Sequence, residues 1–283
     1  MADQITGDAQ VANTRMELIL ALVQRELAAA AKLLPTVTDV TRFAEKGVDS
    51  ISFPKFGSFS AGKKTSGTPV DAQTLSDSVD KLELSEHAVV QYLIEKKASK
   101  QTRVELEMEY AARAASAHGR GVDVDIFTEL LAGRLGANDV EFDTAISKDN
   151  ILEMRQNLDD QYAPEEGRVL VITPAQERAM LNIQEFIDAS RFGDRAPIYS
   201  GFIGQVYGIP VIKSSILNQF VGSDDCHALM YHSEALAIGF QIMPEYDEDK
   251  DLANLATRYS IDQLYGVKSL QGGKMCSALI DAV

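Results

Sequence analysis

Residues 168–182 read RVLVITPAQERAMLN and contain the clearest local structure signal in the chain. The run RVLVI predicts a short buried strand. Thr173 is a favourable N-cap residue, Pro174 occupies the first helical position, and Gln176 stands where a reciprocal capping side chain is found. These signals together predict a strand that passes directly into a helix at Thr173.

Helix and strand patterns surround this unit on both sides. A helix containing Ile151 and Leu158 precedes it, and residues 201–212 read as a turn with strands. Further strand patterns lie near residues 228–231, 235–242, 259–267 and 275–280. Because helix and strand patterns both occur along the chain, the sequence predicts an α+β protein. No internal repeat is visible.

Two helices are predicted in the first half of the chain. Apolar residues from Met16 to Leu34 recur at spacings of three and four, so they share one helix face, which packs either on its own domain or on a neighbouring subunit. A second helix is expected to start at Ser99 and to end at Gly119 and Gly121, with a shorter helix after it. Its alanine-rich face suits a long strut.

Residues 48–92 predict a long two-stranded ribbon. Strand-like patterns flank a polar, turn-rich tip at Ser60–Pro69, and the second strand is expected to run from about Val79 to Leu93. No acidic residue occurs from Ser50 to Val70. A ribbon of this kind is marginally stable alone, so it is expected either to lie on another subunit or to belong to a larger sheet. The residues predicted to make the contact are Lys55, Phe56, Phe59, Lys63 and Lys64.

The composition argues against several classes of function. A net charge of −15 disfavours a sequence-independent nucleic-acid binder, which needs a basic surface. The two cysteines, Cys226 and Cys276, fit no metal or redox spacing, and no apolar run is long enough for a membrane span. We therefore expect a protein with reduced cysteines and no membrane association.

No set of residues predicts a catalytic, cofactor or metal site. The glycines at 201, 204 and 208 do not form a dinucleotide fingerprint. Cys226 and His227 are adjacent and would point to opposite faces of a strand, and His232 lacks a GxSxG context. The acidic segment 245–251 lacks the spacing of a calcium loop and is expected to be a solvated linker or a charged surface.

Two segments resemble a known family. The strand–ThrPro–helix unit at 168–182 resembles a unit in the axial domain of tailed-bacteriophage major capsid proteins. The stretch SGFIGQVYGIPVIKSS at 200–215 is similar to the G-x-I-G-x-x-x-G-x-x-V segment that follows it in those proteins. Their order after a ribbon and a long helix strengthens the resemblance, which implies the capsid fold that these proteins share with encapsulins.

The resemblance implies a division of the chain into five parts. Residues 1–40 would form the N-arm and 41–93 the extended loop that reaches over a neighbour. The spine helix and peripheral domain would occupy 94–145, and the axial domain 146–234. Residues 235–283 would return to the peripheral domain, with the last strand in the axial domain.

The resemblance also implies a function and partners. The chain would be a structural protein, not an enzyme, and would assemble as hexamers and pentamers into an icosahedral head enclosing DNA without sequence-specific binding. A separate scaffolding protein is implied, because no long scaffolding segment precedes the ribbon, unless the chain is already the mature product. A portal is implied as well. Assembly would occur in the cytoplasm of the bacterial host, and the product would be the virion. The alternatives are an encapsulin-like compartment, which would package an enzyme instead of DNA, and a soluble enzyme with an unrecognised site.

Overall fold

The structure is a computed structural model that describes residues 8–55, 63, 78–97, 106–142, 145–182, 204–221, 226–270 and 275–281. Four α-helices lie in this part of the chain: α1 Asp8–Ala30, α2 Leu106–Gly133, α3 Lys148–Asp160 and α4 Pro174–Leu181. The strands are β1 Thr38–Asp39, β2 Ser50–Lys55, β3 Ser78–Glu83, β4 Glu86–Glu95, β5 Val140–Phe142, β6 Arg168–Ile172, β7 Gln205–Val206, β8 Ile209–Lys213, β9 Cys226–His232, β10 Leu236–Asp251, β11 Ala256–Ser269 and β12 Cys276–Asp281.

The strands form three sheets. A six-stranded sheet has the order β5-β12-β9-β6-β8-β7, and a four-stranded sheet has the order β1-β10-β11-β4. Strands β2 and β3 pair with each other as a two-stranded antiparallel ribbon. Mixed helices and sheets confirm the predicted α+β class.

The unit at 168–182 folds largely as predicted. Strand β6 is buried along its whole length, and the Thr173 side chain accepts a hydrogen bond from the Gln176 N–H at 3.3 Å. The predicted reciprocal cap is wrong. The Gln176 side chain accepts from the Ile146 N–H at 2.8 Å instead, while the Thr173 N–H donates to the His227 carbonyl oxygen. The sheet has already satisfied the donor that Gln176 was expected to bind.

Helix α2 is continuous, so the predicted stop at Gly119 and Gly121 is wrong. A Cβ atom at Gly119 would lie 2.7 Å from the Leu27 carbonyl oxygen, because α1 crosses α2 at this point. Glycine inside a helix costs about 1 kcal/mol relative to alanine. Val122 and Ile126 follow Gly119 in the helix and are fully buried, and burial of each side chain stabilises the fold by about 1.5–3 kcal/mol. This gain is larger than the cost of the glycine.

Helix α1 packs on α2 of its own chain. Its residues Ile19, Val23 and Leu27 are buried against Ala111 and Ala115. Of the two arrangements that the sequence allowed for this helix, the structure therefore shows packing on its own domain.

The chain turns after α1 with help from Asp123 of α2. The Asp123 carboxylate accepts hydrogen bonds from the Lys32 and Leu33 N–H groups, both at 3.0 Å. Burial raises the pKa of Asp123 to about 6, while the two N–H groups act to lower it. This carboxylate fixes the path of the chain from α1 towards β1.

Strands β10 and β11 form a long hairpin, and the acidic segment 245–251 belongs to β10. Its side chains at Glu245, Asp247, Glu248 and Asp249 are exposed. Of the two alternatives, the segment is thus a charged surface and not a linker. The segment expected to form one strand from Val79 to Leu93 is also different: β3 ends at Glu83 and β4 begins at Glu86 in another sheet.

Candidate intersubunit surface

The base of the β2–β3 ribbon lies directly on the four-stranded sheet, at a pair of glycines. Gly239 of β10 and Gly266 of β11 are cross-strand partners. A Cβ atom at Gly266 would lie 2.1 Å from the Glu83 carbonyl oxygen, and one at Gly239 would lie 3.3 Å from Val40 Cγ2. The absence of two side chains lets the ribbon backbone approach the sheet closely.

Apolar contacts and hydrogen bonds hold this base in place. Ile51, Leu82 and Leu84 form a buried cluster with Val40, Ala44 and Ala237. The Gln241 side-chain amide donates to the carbonyl oxygens of Val48 at 2.8 Å and Glu45 at 3.1 Å. The Leu84 N–H donates to the Asp49 carbonyl oxygen at 3.0 Å. The base of the ribbon is therefore part of the subunit's own core.

Contacts with the rest of the chain decrease away from this base. Lys55 forms an ion pair with Asp80 across the ribbon, with 2.5 Å between Nζ and Oδ2. On the opposite face of the ribbon, Val79 is 55% exposed and Lys81 is exposed. Within the described residues β2 and β3 have no other strand as a partner. The ribbon thus presents an apolar and a basic side chain for which the described residues show no hydrogen-bond or ion-pair partner.

The structure describes two of the five residues predicted to contact another subunit. Lys55 lies at the end of β2 in the ion pair with Asp80, and Lys63 is exposed. Phe56, Phe59 and Lys64 lie outside the described residues. The contact role of all five remains a prediction.

Two buried histidines in the described chain have structural partners. His232 Nε2 lies 2.7 Å from the Glu166 carbonyl oxygen, and His232 Nδ1 accepts a hydrogen bond from the Glu234 N–H at 3.1 Å. His118 Nε2 lies 3.0 Å from the Ile261 carbonyl oxygen, and burial lowers its pKa. These hydrogen bonds occupy both imidazoles in packing roles.

The two cysteines and the other candidate metal ligands also have packing roles. Cys226 and Cys276 are buried and free, and burial raises the pKa of the Cys276 thiol. Cys226 packs in the core between the sheets, whereas the neighbouring His227 ring lies 4.8 Å from the Phe142 ring. Among the residues that the structure describes, no group of three or more His, Cys, Asp or Glu side chains could hold a metal ion. No helix in the described ranges is long and apolar enough to cross a bilayer.

The two glycines of this pair are each marked by a local pattern in the sequence. Gly239 and Gly266 each stand alone inside a predicted strand, and an isolated glycine in a strand often marks a close backbone approach. Their pairing could not be read from sequence, because it depends on the register of β10 with β11. Gln241 gave no signal, since its two acceptors are main-chain carbonyl groups nearly two hundred residues away.

Comparison with known proteins identifies the fold. No family model matches the sequence, and no curated protein matches it. Among solved structures, one from Mycobacterium phage Che8 matches with a TM-score of 0.75 and 19% identity, covering 88% of this chain and 90% of that chain. The capsid structure of cyanophage P-SCSP1u matches with a TM-score of 0.72 and 14% identity, over 87% and 86% of the two chains. The mature capsid of bacteriophage PhiM1 gives a TM-score of 0.67 and 13% identity, over 87% and 86%.

These structures define the fold of this chain as the α+β fold of phage capsid proteins. The resemblance to major capsid proteins of tailed bacteriophages, predicted from residues 168–182 and 200–215, is confirmed at the level of the fold.

Proposed function

We propose that this chain is the major capsid protein of a tailed bacteriophage, and that its copies assemble as hexamers and pentamers into a closed icosahedral head around the genome. The observation that carries the proposal is the β2–β3 ribbon. Its base is buried against the four-stranded sheet, but β2 and β3 have no further strand partner in the described chain. We infer that a second copy supplies the partner that completes the ribbon, and the fold shared with phage capsid structures supports this inference. The function is structural, and the site of action is the virion.

The parts of the chain have separate roles in this proposal. The segment 146–234, with β12 added to its sheet, would lie at the centre of each capsomer. Residues 94–145 and the β10–β11 hairpin would form the periphery, and the extended loop 41–93 would cross to the next subunit. A separate scaffolding protein would guide assembly, and a portal would replace one pentamer.

The charge of the chain supports a shell that does not adhere to its contents. A subunit with a net charge of −15 repels both DNA and its own copies. Repulsion between exposed charges is screened beyond about 8 Å at physiological ionic strength. Moderate salt should therefore favour assembly, and the free subunit should not bind duplex DNA tightly.

The decisive experiment is assembly of the purified protein. Negative-stain microscopy and sedimentation should show closed particles in moderate salt or with a scaffolding protein, each subunit burying more than about 2,000 Å² against its neighbours. Particles recovered from infected cells should contain nuclease-protected DNA. A monodisperse monomer under all of these conditions would refute the shell function, and particles that contain a folded enzyme would favour a compartment.

A charge-reversal variant tests the role of the ribbon tip. Replacing Lys63 and Lys64 with Glu should leave the circular dichroism spectrum unchanged and reduce particle yield, because the tip is proposed to contact an acidic neighbour. Each exposed ion pair contributes about 0–1 kcal/mol, but the loss repeats at every copy of the contact. The matched control reverses Lys148 and Lys250, which are exposed, lie outside the extended loop and change the net charge equally. Equal yields from the two variants would show that the tip is not an intersubunit contact.

A deletion tests the same segment by length. Removal of Ser60–Pro69 should leave a folded subunit, because a polar, turn-rich segment contributes little to a core. Particle assembly or particle stability should fail. Normal particles would contradict the proposal for the tip, and an unfolded subunit would show that the tip belongs to its own core.

A further inference from the structure

The outer edges of the two larger sheets differ greatly in length. The six-stranded sheet ends in β5 and β7, which have three and two residues, and the four-stranded sheet begins with β1, which has two. The other edge of the four-stranded sheet is β4, with ten residues. Proteins often keep edge strands short to prevent pairing with other chains. Among the described strands of these two sheets, β4 is the long edge that departs from this pattern.

Strand β4 also lacks the other features that protect an edge. It contains no proline and no lysine, and its ten pairs with β11 run in register without a bulge. Its central seven residues, AVVQYLI at 88–94, are uncharged and rich in β-branched and aromatic side chains. Val89 and Leu93 are 52% and 50% exposed on its outer face. In an antiparallel pair, alternate residues direct their N–H and C=O groups away from the partner, so a row of such groups faces outward from β4.

We propose that the free edge of β4 accepts a strand from a second copy of this chain, so that the four-stranded sheet continues across the subunit boundary. This inference rests on the proposed shell function. The ribbon of the same chain does not occupy this edge, because β3 pairs with β2 and, among the described strands, β4 pairs with β11 alone. A second copy presents the ribbon with free edges, and a two-stranded sheet gains stability from a third strand.

Strand β3 is the better donor of the two ribbon strands. Pro54 has no N–H, and prolines in sheets occupy edge positions where the missing donor faces solvent, so the free edge of β2 is interrupted. Strand β3, Ser78–Glu83, has an N–H at every residue. Its Asp80 is already neutralised by Lys55, which leaves the exposed Lys81 as the charge at its centre.

The charges favour this pairing over a symmetric one. Strand β4 begins and ends with exposed glutamates, Glu86 and Glu95. Antiparallel pairing of two β4 strands about their centres would place Glu86 of one copy opposite Glu95 of the other, which is destabilising. A β3 strand carries the exposed Lys81 at its centre and one exposed carboxylate, Glu83, at its end, so this pairing opposes fewer like charges than the symmetric one.

Amide hydrogen exchange in the free subunit and in assembled particles tests the pairing directly. In the free subunit, alternate amides between Ala88 and Ile94 should exchange rapidly. In particles the same amides should slow by about 100-fold or more, because exchange then requires opening of an intersubunit sheet. Amides of β3 should gain protection in parallel. Particles in which the alternate β4 amides remain fast would overturn the pairing and leave the shell function intact.

A lysine on the edge provides the second test. Val89→Lys introduces a residue type that natural edge strands use to prevent pairing, at a half-exposed position that tolerates it. The variant should have the same melting temperature as the wild type, and its particle yield should fall by about tenfold or more. The matched control is Leu252→Lys at the tip of the β10–β11 hairpin, where the leucine is 77% exposed. Equal yields from the two variants would refute a role for the β4 edge, whereas the absence of particles from the wild type would refute the shell function and this pairing together.

Discussion

The substitution Gly266→Ala should detach the ribbon from its sheet. The new Cβ atom would lie 2.1 Å from the Glu83 carbonyl oxygen and 3.0 Å from Leu82 Cδ2. Non-bonded atoms attract at separations of roughly 3.5–4.0 Å, so the first contact is strongly repulsive. The obstacle is main chain, which cannot rotate away as a flexible side chain would. Either β11 or the end of β3 must move.

The expected cost follows from two limits. Overpacking of a well-packed site costs about 1–3 kcal/mol. If the repulsion exceeds that range, the ribbon can separate, at the cost of exposing side chains such as Leu82 and Ile51, each of which contributes about 1.5–3 kcal/mol through burial. We therefore expect the free energy of unfolding to decrease by about 1–3 kcal/mol, with the amides of β3 exchanging faster than those of β9.

Urea unfolding followed by circular dichroism measures the first quantity, and hydrogen exchange measures the second. Gly121→Ala is the control, because a Cβ atom there meets nothing within 4 Å and the change should stabilise α2 by about 1 kcal/mol. A Gly266→Ala variant as stable as the wild type, with unchanged exchange in β3, would refute the argument that the glycine pair seats the ribbon.

Gly119→Val should separate α1 from α2 and lower the free energy of unfolding by about 1–3 kcal/mol, because its Cβ atom would lie 2.7 Å from the Leu27 carbonyl oxygen; an unchanged melting curve would contradict this. Burial raises the pKa of Asp123 from 3.8 to about 6, so its contribution to stability is complete below pH 4 and is lost as the pH rises through 6. The difference in unfolding free energy between the wild type and Asp123→Asn should therefore grow in favour of the wild type, by up to about 3 kcal/mol, as the pH is lowered from 7 to 4. A difference that shrinks as the pH is lowered would show that the sign is wrong. Arg168→Met should cost about 2–4 kcal/mol in urea unfolding, because it removes the donors to buried carbonyl groups, while the half-exposed Arg155→Met should cost less than about 0.5 kcal/mol; similar losses would contradict the difference in burial.

Signals that depend on neighbouring residues could be read from the sequence. The cap at Thr173 with Pro174 predicted the start of α4, because its hydrogen bond spans three residues. The ion pair of Glu109 with Arg113, 3.0 Å between Oε1 and Nη2, likewise follows from an i,i+4 spacing that is visible in the sequence. The α+β class followed from summing such local patterns.

Features set by distant contacts could not be read in this way. Gly119 has the local properties of a helix end, but the approach of α1 decides its role. The Gln176 side chain binds a main-chain group thirty residues away. The division of 79–93 into β3 and β4 depends on which sheet accepts each half, since both halves alternate in the same way.

The predicted contact residues show the same limit. The absence of acidic residues from 50 to 70 drew attention to the ribbon and its lysines. The ion pair of Lys55 with Asp80, however, follows from the register of β2 with β3. The glycines that seat the ribbon lie in predicted strands, but their position under the ribbon depends on the register of β10 with β11. Composition therefore locates a segment, and pairing decides which of its side chains are occupied.

The position of β12 sets the order in which the subunit can be completed during synthesis. Strand β5 pairs with β12 alone among the described strands, and Val140 aligns with Leu279, so β5 is made long before its partner. Strand β9 likewise keeps one edge open until β12 arrives. Contacts between such distant parts of a chain form slowly. A nascent subunit can build its helices and its long hairpin early, but this sheet stays incomplete until β12 is inserted between β5 and β9. In this interval the subunit most needs protection from other copies.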